Sequence, residues 1–354
     1  MKEFVFILSS LNDPHYKKRV EEFIDNGYKV TVYGYKRKGQ ILQEFTYKPI
    51  VLGEIFERNY SARLELFRKS IKSIASSCKG KIVFYSSLDV AIFGRMYIDS
   101  PYIYEVCDLT ELTIGNRFLR NLLSFINKNT IKNSIRTIIT SEGFAEYFGK
   151  KLSNKFFLIP NKVSRNIPKF IEKKRKLEQI IKIGFVGVIR FETIYNFIKV
   201  CADYREKVEI HLYGIYSEAD EWAIKTRDLK SENIYYHGRF NNPEDLPNIY
   251  ENIDLLLCAY TPSLGVMYAE PNKLYESIYF RCPIIVSENV FLGKKVERLG
   301  VGYFINSMSD SSIAVFLDSL NDADYQQKIK ACQEISQEEC LNNNQKFFDF
   351  IETL

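Results

Sequence analysis

The sequence predicts an α/β protein made of two Rossmann-like, doubly wound domains facing a cleft. Two observations carry that expectation. Short apolar runs alternate with segments of helical apolar spacing along nearly the whole chain, as in parallel sheets covered by helices. The length, 354 residues, exceeds what one core ordinarily holds and suits two domains of roughly 150 to 180 residues.

The elements follow in order. Glu3–Leu8 is apolar throughout its centre and reads as a strand buried on both faces. The polar loop Ser9–Pro14 comes next. Tyr16–Asp25 has helical spacing, with Val20, Phe23 and Ile24 on one side, and Asn26-Gly27 suits a left-handed C-cap. Strand Lys29–Tyr35 completes a βαβ unit. Helix Leu64–Ser77, strand Lys81–Tyr85, helix Ser87–Ile98 and strand Tyr102–Val106 continue the alternation. The long helix Asn116–Asn133, strand Thr137–Thr140 and helix Glu142–Gly149 close it, and Phe156–Ile159 leads into Pro160-Asn161. Residues 163–179 are basic, polar and proline-bearing, without strong period, and read as an interdomain linker.

A second series begins with strand Ile181–Val186, helix Thr193–Tyr204, strand Val208–Tyr213 and helix Ala219–Leu229. Strand Ile234–His237, helix Asn242–Asn252 and strand Ile253–Tyr260 follow. Helix Pro271–Phe280, strand Pro283–Ser287 and a final edge strand Gly302–Ile305 complete it. The polar tail has helical apolar spacing at Tyr325, Ile329 and Cys332. The expected domains are therefore 1–162 and 180–335, with 336–354 a C-terminal helix packing back on the first. Ligands of such sheets sit beyond the carboxyl ends of the strands, and with two domains the natural site is the cleft between them.

Composition narrows the chemistry. Apolar residues make up 46% and charged residues 26%, a globular balance. The net charge of +5 permits an anionic ligand or membrane surface. No basic run is interleaved with aromatics, so nucleic acid is not an expected partner. Cys78, Cys107, Cys201, Cys258, Cys282, Cys332 and Cys340 form no C-x-x-C pair and read as reduced, buried thiols of a cytoplasmic protein. Only His15, His211 and His237 are available as imidazole ligands, none at zinc spacing from a cysteine pair. The segment MKEFVFILSS turns polar too soon for a signal peptide, and no apolar run approaches the roughly 20 residues of a membrane span. The expectation is a soluble or peripheral protein.

Three stretches carry candidate chemistry. The first is Glu270–Ser287, EPNKLYESIYFRCPIIVS. Pro271 suits the first helical position, and the free N–H groups of that helix start attract an anion. Lys273 in the first turn opposes the helix dipole, an arrangement easier to understand with a phosphate between them. Glu276 lies on the same face, placed to accept two hydrogen bonds from a ribose diol. The second stretch is G-x-x-G-x-x-R, where Gly187 lets a backbone approach closely and Arg190 stands beyond the strand end, suited to a diphosphate. The third is His237-Gly238-Arg239-Phe240, a loop able to hold a base. In each case an ordinary surface helix, turn or solvated charge is the alternative.

The order G-x-x-G-x-x-R, then H-G-x-x, then I-D-L-L-L, then E-P-N-K-L-x-E with C-P-I-I-V-S resembles the donor domain of the large retaining glycosyltransferase family of GT-B fold. That family supplies many bacterial capsule and lipopolysaccharide enzymes. The first half agrees, with a strand ending in Cys107-Asp108 and an I-P-N turn at Pro160-Asn161. The resemblance implies a nucleotide diphosphate sugar as donor and retention of configuration. Arg190 and Lys273 would bind the diphosphate, Glu276 the ribose, and Arg239 with Phe240 the base. Gly187, Asn272 and Leu274 fall in the same donor motifs. The family's Glu-x7-Glu pair is broken, because Tyr268 stands where the first Glu belongs; Glu270 is the candidate substitute. The Lys expected shortly after Arg190 is replaced within Phe191–Asn196.

On the acceptor side, His15 lies in the first loop. Asp108 ends a strand, either orienting or deprotonating an acceptor hydroxyl or, through Asp108-Leu-Thr-Glu111, forming a capping box. The helix around Asn116–Arg136 joins Arg117, Arg120, Lys128, Lys132 and Arg136 to Phe118, Leu119, Leu122, Phe125 and Ile126. It suits an anionic membrane face and a lipid-linked acceptor, or else packs on its own sheet with a charged outer face. The chain's Asp-x-Asp, Asp322-Ala-Asp324, lies in the polar tail, so no metal cofactor is expected. Alternative activities are nucleotide-sugar epimerisation and a non-catalytic donor-binding subunit.

Overall fold

A computed structural model describes residues 2–56, 59–172, 175–218 and 220–354. Lys173 and Lys174, within the expected linker, and Ala219, the first residue of the expected helix Ala219–Leu229, lie outside the described residues. The chain forms two compact units, Met1–Ile159 with Asn344–Leu354, and Pro160–Asn343.

The first unit holds seven parallel strands: β1 (Glu3–Leu8), β2 (Lys29–Arg37), β3 (Ile50–Ile55), β4 (Ile82–Tyr85), β5 (Tyr102–Val106), β6 (Arg136–Ile139) and β7 (Phe156–Leu158). Their order is β3-β2-β1-β4-β5-β6-β7, so the winding reverses between β1 and β4. Strand β3 is missing from the expectations. Ile50 and Val51 are exposed, and Gly53, with φ 153°, interrupts the run, so neither burial nor alternation announces it. One face of the sheet is aromatic. Phe6 stacks on Phe84 at 4.4 Å, and both pack on Phe23. Helix Gln345–Glu352 belongs to this unit because Phe347 and Phe348 close on Phe23 at 6.0 and 5.2 Å. Burying such rings is the main term holding the helix there.

The second unit holds six parallel strands: β8 (Ile181–Ile189), β9 (Val208–Tyr216), β10 (Ile234–Gly238), β11 (Leu255–Cys258), β12 (Ile284–Ser287) and β13 (Gly302–Ile305). Their order is β10-β9-β8-β11-β12-β13. Alternate residues feed two cores. Ile183, Phe185, Leu257 and Ile285 face one, and Val186, Leu256, Cys258 and Ile284 face the other. Apolar runs without polar alternation are the consequence of that double burial.

The segment read as a linker is packed onto this second unit. Val163 bridges to Leu341, Asp322 accepts from the Leu177 N–H, and Arg175 donates to the carbonyls of Tyr250 and Ile253 at 2.6 and 2.7 Å. A guanidinium satisfied by backbone carbonyls is a tertiary contact that a basic, aperiodic sequence does not reveal. Helix Phe291–Leu299 is likewise unforeseen. The cysteines are all free, six of them buried.

Candidate functional site

In the second unit Gly187 and Arg190 stand at the carboxyl end of β8, Asn272, Lys273, Leu274 and Glu276 open the helix that follows β11, and Arg239 and Phe240 follow β10. Gly187 (φ 146°) pairs with Gly214 (φ 139°) across β8 and β9, so two left-handed-side glycines lie side by side. A Cβ on Gly187 would meet open space. Arg190 follows β8 and is exposed, its guanidinium 4.6 Å from the Phe191 ring centre. Phe191 holds φ at 78°, a strained value for a bulky residue, and its ring lies 5.3 Å from that of Tyr260. Burial pushes the Tyr260 phenol up, and the nearby charges of Arg190 and Glu276 both act on it. Thr193 ties the next helix to the end of β11 by donating to the Ala259 carbonyl.

The helix Asn272–Tyr279 begins one residue later than expected. Pro271 is its N-cap, with extended backbone, and no side chain caps the helix start. Lys273 and Glu276 are buried and form an ion pair, Nζ to Oε2 at 2.5 Å. Tyr250 also donates to Oε2 at 2.7 Å, and Asn272 donates to Oε1 at 2.6 Å. The cation in the first turn therefore already has a carboxylate partner, and a phosphate is not needed to explain it. Both oxygens of Glu276 accept from the chain's own donors, with capacity left on Oε1. Leu274 is fully buried in the core beneath.

Glu270 does not face open solvent. Its side chain is fully buried, paired with Lys295 at 2.8 Å and accepting from the Tyr275 hydroxyl. This pair spans the loop after β11 and the helix Phe291–Leu299, which makes it a fastening of the site's frame. Arg239 is exposed, and the half-buried Phe240 packs against the core. Tyr250 and Lys295 escaped sequence reasoning; a lone Tyr on a short helix and a Lys in a polar one carry no signal.

In the first unit, His15 and Glu105 meet where β1 and β5 end. His15 Nε2 lies 3.0 Å from Glu105 Oε1, which also accepts from Arg19 Nη2 at 2.9 Å. Burial alone would push the Glu105 carboxyl up; the charges of Arg19 and His15 overrule it and hold it at about 2. Asp108 is exposed. The expected capping box gives way to a short 3₁₀ turn, Thr110–Thr113, in which Glu111 is buried and accepts from Asn127. Burial raises that carboxyl.

The helix Arg117–Asn133 buries Asn127, Thr130 and Ile131. Its outer face carries large apolar side chains beside the exposed Arg117, Lys128 and Lys132. Phe118 and Phe125 are 79% and 69% exposed, with Leu119 and Leu122 beside them. Among the described residues, no helix is long and apolar enough to cross a membrane.

Two doubly wound parallel sheets in series, each with its candidate residues at the strand ends, define the GT-B fold. No protein-family model matches the sequence. The chain is 22% identical to the succinoglycan biosynthesis protein ExoL of Rhizobium meliloti strain 1021, over 94% of this chain and 89% of that protein. It resembles sucrose-phosphate synthase from Thermosynechococcus elongatus with a TM-score of 0.73 at 14% identity, covering 99% and 98% of the two chains. HepE from Anabaena, solved in complex with UDP-glucose, gives a TM-score of 0.69 at 12% identity, covering 99% and 100%. These likenesses establish the fold.

Proposed function

We propose that the protein is a glycosyltransferase moving a hexose from a nucleotide diphosphate sugar to a glycan or lipid-linked oligosaccharide. The observation that carries this reading is that the exposed Arg190 after β8 and the buried Glu276, paired with Lys273 in the helix after β11, lie close enough to one residue, Tyr260, for both charges to act on it. Arg190, Lys273 and the uncapped helix start meet a departing diphosphate electrostatically, so no metal cofactor enters the proposal. Gly187 gives the ligand a close backbone approach. Glu276 takes one ribose hydroxyl on Oε1, with Asn272 beside it, while Arg239 and Phe240 border the base. The HepE complexes with UDP and UDP-glucose and the glycan-biosynthesis relative support this reading.

A titration calorimetry screen against UDP, GDP, CMP and their sugars tests it. One diphosphate nucleotide binds selectively, and Arg190→Ala weakens it by about tenfold to a hundredfold, as for loss of a charge-assisted hydrogen bond. No binding to any of them by folded protein removes the reading.

The outer face of Arg117–Asn133 supports a lipid-linked acceptor. Phe118, Leu122 and Phe125 share one face, exposed Arg117, Lys128 and Lys132 flank it, and no acidic residue occurs between Glu111 and Glu142. We assign this face to the surface of an anionic bilayer. Retention is the stereochemical course that the sequence resemblance implies, the hydroxyl proton passing to the departing diphosphate.

A further inference from the structure

We propose that His211 and His237 form a binding site for a divalent transition-metal ion of the zinc type, with Glu209 as the carboxylate behind the first imidazole. The site lies wholly within the second unit, and no step of the transfer proposed above runs through it.

Glu209, His211 and Tyr213 alternate along β9 with Ile210 and Leu212, which belong to the core. Tyr235 and His237 stand on the neighbouring edge strand β10. Tyr235 pairs with His211 and Gly238 with Tyr213, and the register shifts between Tyr236 and Gly238, at His237. A bulge of this kind re-aims one side chain. Here it brings His237 against both His211 and Tyr213.

His211 Nδ1 and His237 Nε2 lie 3.0 Å apart, with the ring planes 14° from parallel. A tetrahedral zinc ion holds two imidazole nitrogens about 3.3 Å apart, each at about 2.0 Å, so the pair stands close to chelating distance. On its other side, His211 Nε2 donates to Glu209 Oε2 at 3.3 Å. That bond puts the proton of a neutral His211 on Nε2 and leaves the Nδ1 lone pair facing His237. A carboxylate on the far nitrogen is the usual support of a metal-bound histidine. Tyr213 stacks on His237 at 4.2 Å and 7°, and Tyr235 lies 5.0 Å and 17° from His211. Rings braced in this way lose less rotamer freedom on binding.

A hydrogen bond between two neutral imidazoles is the competing use of the pair. It accounts for the 3.0 Å contact but asks nothing of Glu209. Burial, helped by His237 and Lys182, outweighs Glu209 and lowers the His211 imidazole, and burial lowers that of His237. Neutral imidazole is the state that ligates. It suits zinc, copper and nickel, with Cu(II) bound more tightly than zinc. Two protein ligands leave positions for water or a further ligand. In the first unit, His15, Glu105 and Cys107 also bring ligand atoms within 4.8 Å of one another, but Arg19 already sits on that carboxylate.

The test is calorimetric titration of the full chain with zinc alone, after chelator treatment, beside proton NMR of the histidine rings. One ion binds per chain, the ring signals of His211 and His237 move together, and that of His15 stays. His237→Ala, at an exposed position, keeps the fold by circular dichroism and loses the binding. Zinc raises the melting temperature of the wild type and not of that variant. Glu209→Gln weakens the binding by about tenfold to a hundredfold, as for loss of the carboxylate behind a metal-bound histidine. His15→Ala leaves it unchanged. No zinc binding by the folded chain overturns the proposal. So does binding that survives His237→Ala, and its loss in His15→Ala would then place the ion on the first unit.

Discussion

A methyl group on Gly214 would stand 1.7 Å from the carbonyl oxygen of Gly187, closer than any real contact. The two residues face each other across β8 and β9, so the backbone is drawn tight at the strand ends that frame the candidate donor site. Gly214→Ala is expected to lower the melting temperature sharply, because backbone must move as well as adopt an unfavourable φ. Gly187→Ala keeps only the conformational strain, on the order of 1–3 kcal/mol, since its methyl enters open space. Thermal melts of the two variants, side by side, check the ranking.

Lys273 and Glu276 are buried together, so removing either leaves an uncompensated charge. Lys273→Met and Glu276→Gln should each destabilise, Lys273→Met by about 3 kcal/mol. The double variant should cost less than the sum. Urea unfolding of the four proteins closes the cycle. Additive losses would mean that the pair is not coupled in solution.

Phe118 and Phe125 project from the helix Arg117–Asn133, 79% and 69% exposed among the described residues. Phe118→Ser with Phe125→Ser should leave the fold intact and reduce co-sedimentation with vesicles containing anionic phospholipid. Binding of the wild type should weaken as salt rises, because Lys128 and Lys132 contribute through screened attraction. Equal binding to neutral vesicles would refute the electrostatic part.

Glu105 ties stability to acid pH. Its carboxyl sits near 2 in the folded protein against an ordinary 4.5. A folded value below the unfolded one stabilises above the unfolded value and is lost as pH falls toward the folded one. The stability advantage of the wild type over Glu105→Gln should therefore shrink between about pH 4.5 and 2. Melting curves across that range measure it, and a constant difference would show that Arg19 does not hold the carboxyl down.

Much of the frame was legible because its signals are local. Apolar runs such as Ile181–Val186 and Ile253–Tyr260 announce strands buried on both faces, since each residue there must satisfy one of two cores. The helix bearing Lys273 and Glu276 was legible for the same reason: residues three apart on a helix meet whatever surrounds them. Strand β3 failed this test because its residues are half exposed and broken by Gly53. The partners that give the candidate residues their chemistry were decided elsewhere. Tyr250 reaches Glu276 across 26 positions, and Glu105 reaches His15 across 90. Parallel strands deliver their carboxyl ends to one edge of a sheet regardless of sequence separation. By itself the sequence determined most of the segments that become strands and helices, strand β3 and the helix Phe291–Leu299 excepted, and which polar residues terminate them. Only the tertiary structure decided which of those residues meet, because that depends on strand order and register, which no local pattern encodes.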